Sequence, residues 1–197
     1  MLDMDSIRKY IESNISGKRY VHSVNVAETA SRLAEIYGCD ARKAFIAGLV
    51  HDCARELGRP QLLACLEEEG IVADEVTLGI KELLHGPAAV NICRRVFGIE
   101  DEEVLSAVRY HTTGRENMTL LEKIIYLSDF IEPSRSFEGV EQLRELAVKN
   151  LDKALLLAFN SSIKYLISKN GIIHTDTVLS RNYILNEVAG TNRSEGK

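Results

Sequence analysis

Apolar positions recur at spacings of three and four from one end of the chain to the other, and no segment alternates apolar and polar residues for long. No Asn-Gly or Asp-Gly turn joins two β-branched runs. The pattern predicts an all-α protein, with helices over 3–15, 19–37, 41–54, 60–69, 75–84, 87–97, 101–111, 119–132, 140–149, 152–169 and 176–188. Several boundaries carry a mechanism. Gly38 suits a left-handed helix end and Asp40 caps the next start, Pro60 and Pro87 fit first-turn positions, and Thr119 with Glu122 makes a capping box. The polar tail from Gly190 to Lys197 is expected to be flexible.

At 197 residues and 45% hydrophobic content, the chain suits a single domain over 1–189. Its 24 basic and 29 acidic residues leave a net charge of −5, which argues against nucleic acid as a partner. A small polyanion stays open, because bound cations and a few local Lys and Arg side chains reverse the field within one pocket. The acidic start, Met1-Leu2-Asp3-Met4-Asp5, is unlike a secretory signal, and no apolar run reaches the roughly 20 residues of a membrane span, so a cytoplasmic protein without membrane contact is expected. Cys39, Cys53, Cys65 and Cys93 form no Cys-x-x-Cys pair and are expected to be reduced packing residues.

Chemistry concentrates on five histidines. The dipeptide His51-Asp52 follows the apolar stretch Ala44-Phe45-Ile46-Ala47-Gly48-Leu49-Val50, and a charged pair at the end of a buried helix needs partners. Periodicity supplies them. One turn before the stripe Val26, Ala30, Leu33, Tyr37 stands His22; His111 continues Val104 and Val108; Asp129 continues Leu121 and Ile125. Aspartate is a poor mid-helix residue, and a buried carboxylate without a partner would protonate or destabilise the fold. Convergence of these groups with His51-Asp52 favours a metal site over separate core histidines. Periodicity alone leaves His85, followed by Gly86-Pro87, undecided. His174 is read as structural. The segment His111-Thr112-Thr113-Gly114-Arg115 offers hydroxyl and cationic groups to phosphate oxygens.

The order His22, His51-Asp52, His85, His111, Asp129 resembles the HD-domain metal-dependent phosphohydrolases. The strings Lys18 to Ser23, Gly48 to Asp52, Leu83 to Pro87, Arg109 to Gly114 and Asp129 to Arg135 resemble one branch of them, the YqeK-like family of symmetrical dinucleoside tetraphosphate hydrolases. Arg181-Asn182 also looks familial, while Ser128 and Thr175 depart from the usual residues. The resemblance implies an HD-domain helical bundle that cleaves diadenosine tetraphosphate to two ADP, and it is compatible with a homodimer.

Four histidines and two aspartates exceed one four-coordinate site and suit two ions sharing a carboxylate, for which Asp52 is the choice. The resemblance assigns His22, His51, Asp52 and Asp129 to one ion, and His85, His111 and Asp52 to the other. It favours iron, where the donor set alone also admits manganese, cobalt, nickel or zinc. The implied reaction is in-line attack on phosphorus by a hydroxide bridging the ions, with Asp52 positioning it. Lys81, Arg55, Arg115, Arg135 and Thr112 are the candidate substrate contacts. Two alternatives stand beside it: an HD-type nucleotidase or nucleoside triphosphate hydrolase, and a nucleotide-sensing module without turnover.

Overall fold

A computed structural model describes residues 3–194, with side chains described to residue 190, and holds eleven helices and no strand among the described residues. They are α1 (Met4–Asn14), α2 (Gly17–Tyr37), α3 (Ala41–Val50), α4 (Arg59–Glu69), α5 (Glu75–Gly79), α6 (Lys81–Arg95), α7 (Glu102–Tyr110), α8 (Leu120–Ile131), α9 (Val140–Ala147), α10 (Leu151–Ser168) and α11 (Thr175–Ser194). Of the tail expected from Gly190 onward, residues 195–197 lie outside the described residues, and those before them continue α11.

The local rules act where expected. Asp40 accepts from the backbone N–H groups of Arg42 and Lys43, Gly38 ends α2 at φ 71°, and Thr119 with Glu122 closes the capping box at the start of α8. The stripe on α2 packs inward, with Val26 and Ala30 fully buried. Tyr37 is only half-buried, and its hydroxyl donates to the Ala147 carbonyl at 2.7 Å.

The centre of the bundle is α2 against α3, with α8 crossing both; α7 lies against α3, α6 and α8. Leu49, Ile124, Ile125 and Leu127 fill the space between them without solvent exposure. Burying such a side chain contributes roughly 1.5–3 kcal/mol each. Helices α4 and α5 flank α6, and α10 joins α8 and α9 to α11.

Two glycines set the closest approaches. A β-carbon on Gly48 would stand 2.7 Å from the Ala27 Cα, and one on Gly86 would stand 2.7 Å from the Arg109 carbonyl oxygen. Gly48 therefore lets α3 settle on the backbone of α2, and Gly86 lets α6 settle on α7.

Two boundaries correct the sequence reading. The helix expected over 41–54 stops at Val50, and Cys53 N–H and Arg55 N–H then bond back to the Val50 and Asp52 carbonyls. These three-residue turns are tighter than an α-helix and change the relative direction of successive side chains. The break expected at Gly86-Pro87 is absent: α6 runs through Pro87, and the interruption falls at Ile80, which is extended (φ −119°, ψ 111°). Pro87 cannot bond the Leu83 carbonyl, a loss of about 3 kcal/mol in an isolated helix. Leu84, Ala88, Ala89 and Cys93, all fully buried, form a core face that spans the proline and outweighs it.

All four cysteines are free; Cys53 and Cys93 are buried, and Cys39 and Cys65 half-buried. Burial pushes the thiols of Cys39, Cys53 and Cys65 above their ordinary range, as suits packing residues.

Candidate metal centre

Five elements deliver the six candidate ligands. His22 projects from the second turn of α2, His51 and Asp52 leave the end of α3, His85 stands inside α6, His111 caps α7, and Asp129 lies in the last turn of α8. His51 is fully buried, and His22, Asp52, His85 and His111 nearly so. The Asp129 side chain keeps 24% of its exposure and opens on a cavity.

Asp52 sits in the middle with its two oxygens turned to different partners. Oδ2 lies 3.4 Å from His51 Nε2 and 3.6 Å from His22 Nε2; Oδ1 lies 3.0 Å from His85 Nε2 and 3.7 Å from His111 Nε2. Asp129 Oδ1 is 3.0 Å from His22 Nε2 and 4.0 Å from His51 Nε2. Ligand atoms of His22, His51 and Asp129 gather within 4.8 Å of one another, and so do those of His51, Asp52 and His111.

Each imidazole is held from behind. The Nδ1 atoms of His51 and His111 lie 2.7 Å from the carbonyls of Gly48 and Val108, that of His85 lies 2.5 Å from the Glu82 carbonyl, and that of His22 lies 3.0 Å from Glu132 Oε1. Carbonyls and carboxylates only accept, so Nδ1 carries the proton in His22, His51 and His111 and Nε2 is left with a lone pair, whereas His85 Nδ1 faces both the Glu82 carbonyl and the Arg55 guanidinium. All four Nε2 atoms face inward. His22 Nε2 and His51 Nε2 are buried without a hydrogen-bond partner, and His85 Nε2 and His111 Nε2 lie 2.9 Å apart. Nitrogen lone pairs and carboxylate oxygens converging in a buried space are the donor set of a transition-metal centre, so the residues fit metal ions.

The electrostatics favour the metal-binding protonation states. Burial opposes the charge on Asp52, but the surrounding imidazoles of His51, His111 and His85 outweigh it and hold the carboxyl well below its usual range. Asp129 is likewise depressed: burial opposes it, and His22, His51 and Arg135 prevail. Burial lowers His85 to about 4, opposed by Asp52 and reinforced by His111 and Arg55, so this imidazole is neutral near pH 7.

A cavity of about 770 Å³ opens beside the cluster. His111, Asp129, Thr112 and Arg135 form its polar side, and Phe130, Phe137 and Ile172 stand among its apolar lining. Arg135 donates from Nη2 to Asp129 Oδ1 at 2.5 Å and from Nε to the Asp129 carbonyl at 2.8 Å. The other cations expected near phosphate lie elsewhere. Arg115 donates to the buried Glu122 at 2.8 Å, Arg55 Nη1 stands 3.0 Å from His85 Nδ1 at the back of that ring, and Lys81 is exposed at the start of α6.

Three residues escaped the sequence reading. Arg19, one turn before His22, donates to Asp52 Oδ2 at 2.7 Å. Glu132 is fully buried behind His22. Arg144 donates to the carbonyls of Ile131, Glu132 and Arg135 at 2.8, 2.7 and 2.9 Å and fixes the turn after α8. Arg19 and Glu132 fall within the strings singled out above, where their position beside a ligand is the available signal; Arg144 has none.

His174 lies outside the cluster. Its Nδ1 accepts from the Asp176 N–H at 3.1 Å and its Nε2 donates to Asp74 Oδ2 at 2.9 Å, joining the start of α11 to α5. The structural reading of this residue agrees with that geometry.

The family described as HD domain matches residues 19–134. The symmetrical bis(5'-nucleosyl)-tetraphosphatases of Halalkalibacterium halodurans and Bacillus subtilis are 41% and 38% identical over 90% and 89% of this chain, and the alignments cover 94% of each relative. A crystal structure from Clostridium acetobutylicum, described as an HD superfamily hydrolase involved in NAD metabolism, superposes with a TM-score of 0.92 at 46% identity, covering 95% of this chain and 99% of that one. The chain therefore belongs to the HD-domain family and, within it, to the symmetrical bis(5'-nucleosyl)-tetraphosphatases.

Proposed function

We propose that this protein hydrolyses diadenosine tetraphosphate symmetrically to two ADP, using two divalent metal ions that share Asp52. The catalytic reading is carried by the division of Asp52 between the His22–His51 pair and the His85–His111 pair, which suits one carboxylate bridging two ions. The substrate reading is carried by identity of 36 to 41% to relatives of that name over about nine tenths of the chain. His22, His51, Asp52 and Asp129 would hold one ion, and His85, His111 and Asp52 the other, with iron the expected metal. Such ions, when bound, act as Lewis acids and lower the pKa of a bound water.

The chain's own residues supply the rest. The carbonyls behind three imidazoles and Glu132 behind the fourth hold the Nε2 atoms inward. Thr112 and Arg135 offer a hydroxyl and a guanidinium to phosphate oxygens entering the cavity, where a fixed cation offsets charge that develops on the leaving phosphate. Phe130 and Phe137, with ring centroids 5.1 Å apart, give a nucleobase an aromatic wall. No described helix is long and apolar enough to cross a membrane.

Product analysis tests the proposal. The metal-loaded protein is expected to convert diadenosine tetraphosphate to ADP alone. AMP plus ATP would overturn symmetrical cleavage, faster turnover of mononucleotides would favour the nucleotidase reading, and binding without product would favour a sensing module. Elemental analysis of protein purified without added metal tests the count and the identity of the ions.

A further inference from the structure

Three of the four cluster imidazoles have Nδ1 against a neutral backbone carbonyl, whereas His22 alone has it against a carboxylate. That carboxylate, Glu132, has no solvent exposure. Besides His22, its oxygens receive Asn25 Nδ2 at 3.0 Å, the Ser134 N–H at 2.6 Å and the Ser134 hydroxyl. Asn25 Nδ2 and the Ser134 N–H can only donate, and the Ser134 hydroxyl and His22 Nδ1 can donate as well, so the pocket suits an ionised carboxylate.

Local sequence puts it there. Pro133 excludes the helical conformation from the residue before it, and Glu132 takes φ −53°, ψ 157° at the end of α8. The chain then turns so that Ser134 bonds back to the Glu132 side chain, and Arg144 clamps the backbone on either side. Glu132 does not line the cavity beside the cluster.

We propose that Glu132 is a positioning residue: it locks His22 in the tautomer whose Nε2 faces the metal centre and makes that nitrogen the strongest imidazole donor of the cluster. The inference rests on reading the six-residue cluster as a metal centre. A carboxylate behind an imidazole raises its basicity more than a neutral carbonyl does, and outer partners of this kind typically change metal affinity by ~10–100-fold.

Glu132→Gln keeps the shape and removes the charge. Its amide nitrogen would have to face either the Ser134 and Asn25 donors or His22 Nδ1, and in the second arrangement the imidazole proton moves to Nε2, onto the atom that should bind metal. Nitrogen-15 NMR of the metal-free wild-type protein is expected to show His22 protonated on Nδ1, and E132Q is expected to move that proton to Nε2. Calorimetric titration with manganese(II) alone is expected to show E132Q, with helical content matched by circular dichroism, binding ~10–100-fold more weakly. Equal affinity in the two proteins would overturn the proposal. So would a wild-type His22 protonated on Nε2, a measurement that decides the matter even if E132Q does not fold. A wild-type protein that binds neither manganese nor iron would overturn this proposal together with the metal centre beneath it.

Discussion

Gly48 of α3 lies so close to Ala27 of α2 that a β-carbon on it would stand 2.7 Å from the Ala27 Cα and 2.9 Å from the Ala27 nitrogen. The contact is backbone against backbone, so no side-chain rotation relieves it. Gly48 also supplies the carbonyl that holds His51 Nδ1. Gly48→Ala is expected to force α2 and α3 apart, to cost about 1–3 kcal/mol, and to separate His22 from His51. Thermal melting should show a drop of about 2–4 °C for each kcal/mol. Metal content of the folded variant should fall as well. An unchanged melting temperature would mean that the two helices yield more easily than their packing implies.

Asp52→Ala removes the one carboxylate that faces all four histidines. Bound metal and hydrolysis are expected to disappear together while the helical signal in circular dichroism persists, because the ligands stand on five separately packed elements. Chelation of the wild-type protein should give the same loss and lower its melting temperature, since ions that bind only the folded state stabilise it by mass action. Full activity in D52A would remove the shared carboxylate from the mechanism.

Arg135 and Arg115 should behave differently despite their equal charge. Arg135 lines the cavity and touches Asp129, so Arg135→Ala is expected to lower kcat/KM by ~10–100-fold, the size of a lost charge-assisted contact of about 1.5–3 kcal/mol. Arg115 is engaged with the buried Glu122, which also receives the Ser106 hydroxyl and the Thr119 N–H. Arg115→Ala should therefore shift the urea midpoint more than the kinetics. Steady-state assays on both variants, alongside urea unfolding, separate the two roles; matching kinetic losses would bring Arg115 into substrate binding.

Asp74 predicts an acid-sensitive contact between α5 and α11. Burial would raise its carboxyl, but the Thr77 backbone N–H, His174 and the Thr77 hydroxyl outweigh burial and hold it below the ordinary carboxylate range. A depressed folded-state pKa stabilises the protein above the unfolded value near 4, and that contribution is lost as pH falls below it. Asp74→Asn can still cap α5 but carries no charge. It should be less stable than wild type by about 0.5 kcal/mol at pH 7, a small figure because more than half of the side chain is in solvent, and the gap should narrow as pH falls from 5 to 3. Urea midpoints at pH 7, 5 and 3 check this. A gap that widens on acidification would reverse the sign and exclude the mechanism.

Eleven helices and the inward faces of His22, His111 and Asp129 were legible in the order of residues, because a 3.6-residue period and a cap are local properties that each segment carries alone. His85 was not. Its neighbours Gly86-Pro87 read as a turn, and only packing against α7 lets one helix continue through the proline and bring His85 Nε2 to 3.0 Å from Asp52 Oδ1. The partners of the cations were equally invisible, since nothing local tells that Arg135 meets Asp129 while Arg115 meets Glu122. The sequence by itself determined which residues could bind metal and, for His22, His111 and Asp129, which face of its helix each one occupies. Tertiary structure decided that Asp52 stands between two pairs of histidines and that a buried glutamate stands behind one of them. Periodicity fixes a direction about a single helix axis, but distances between side chains on different helices depend on how closely the backbones approach, and here two glycines set that approach.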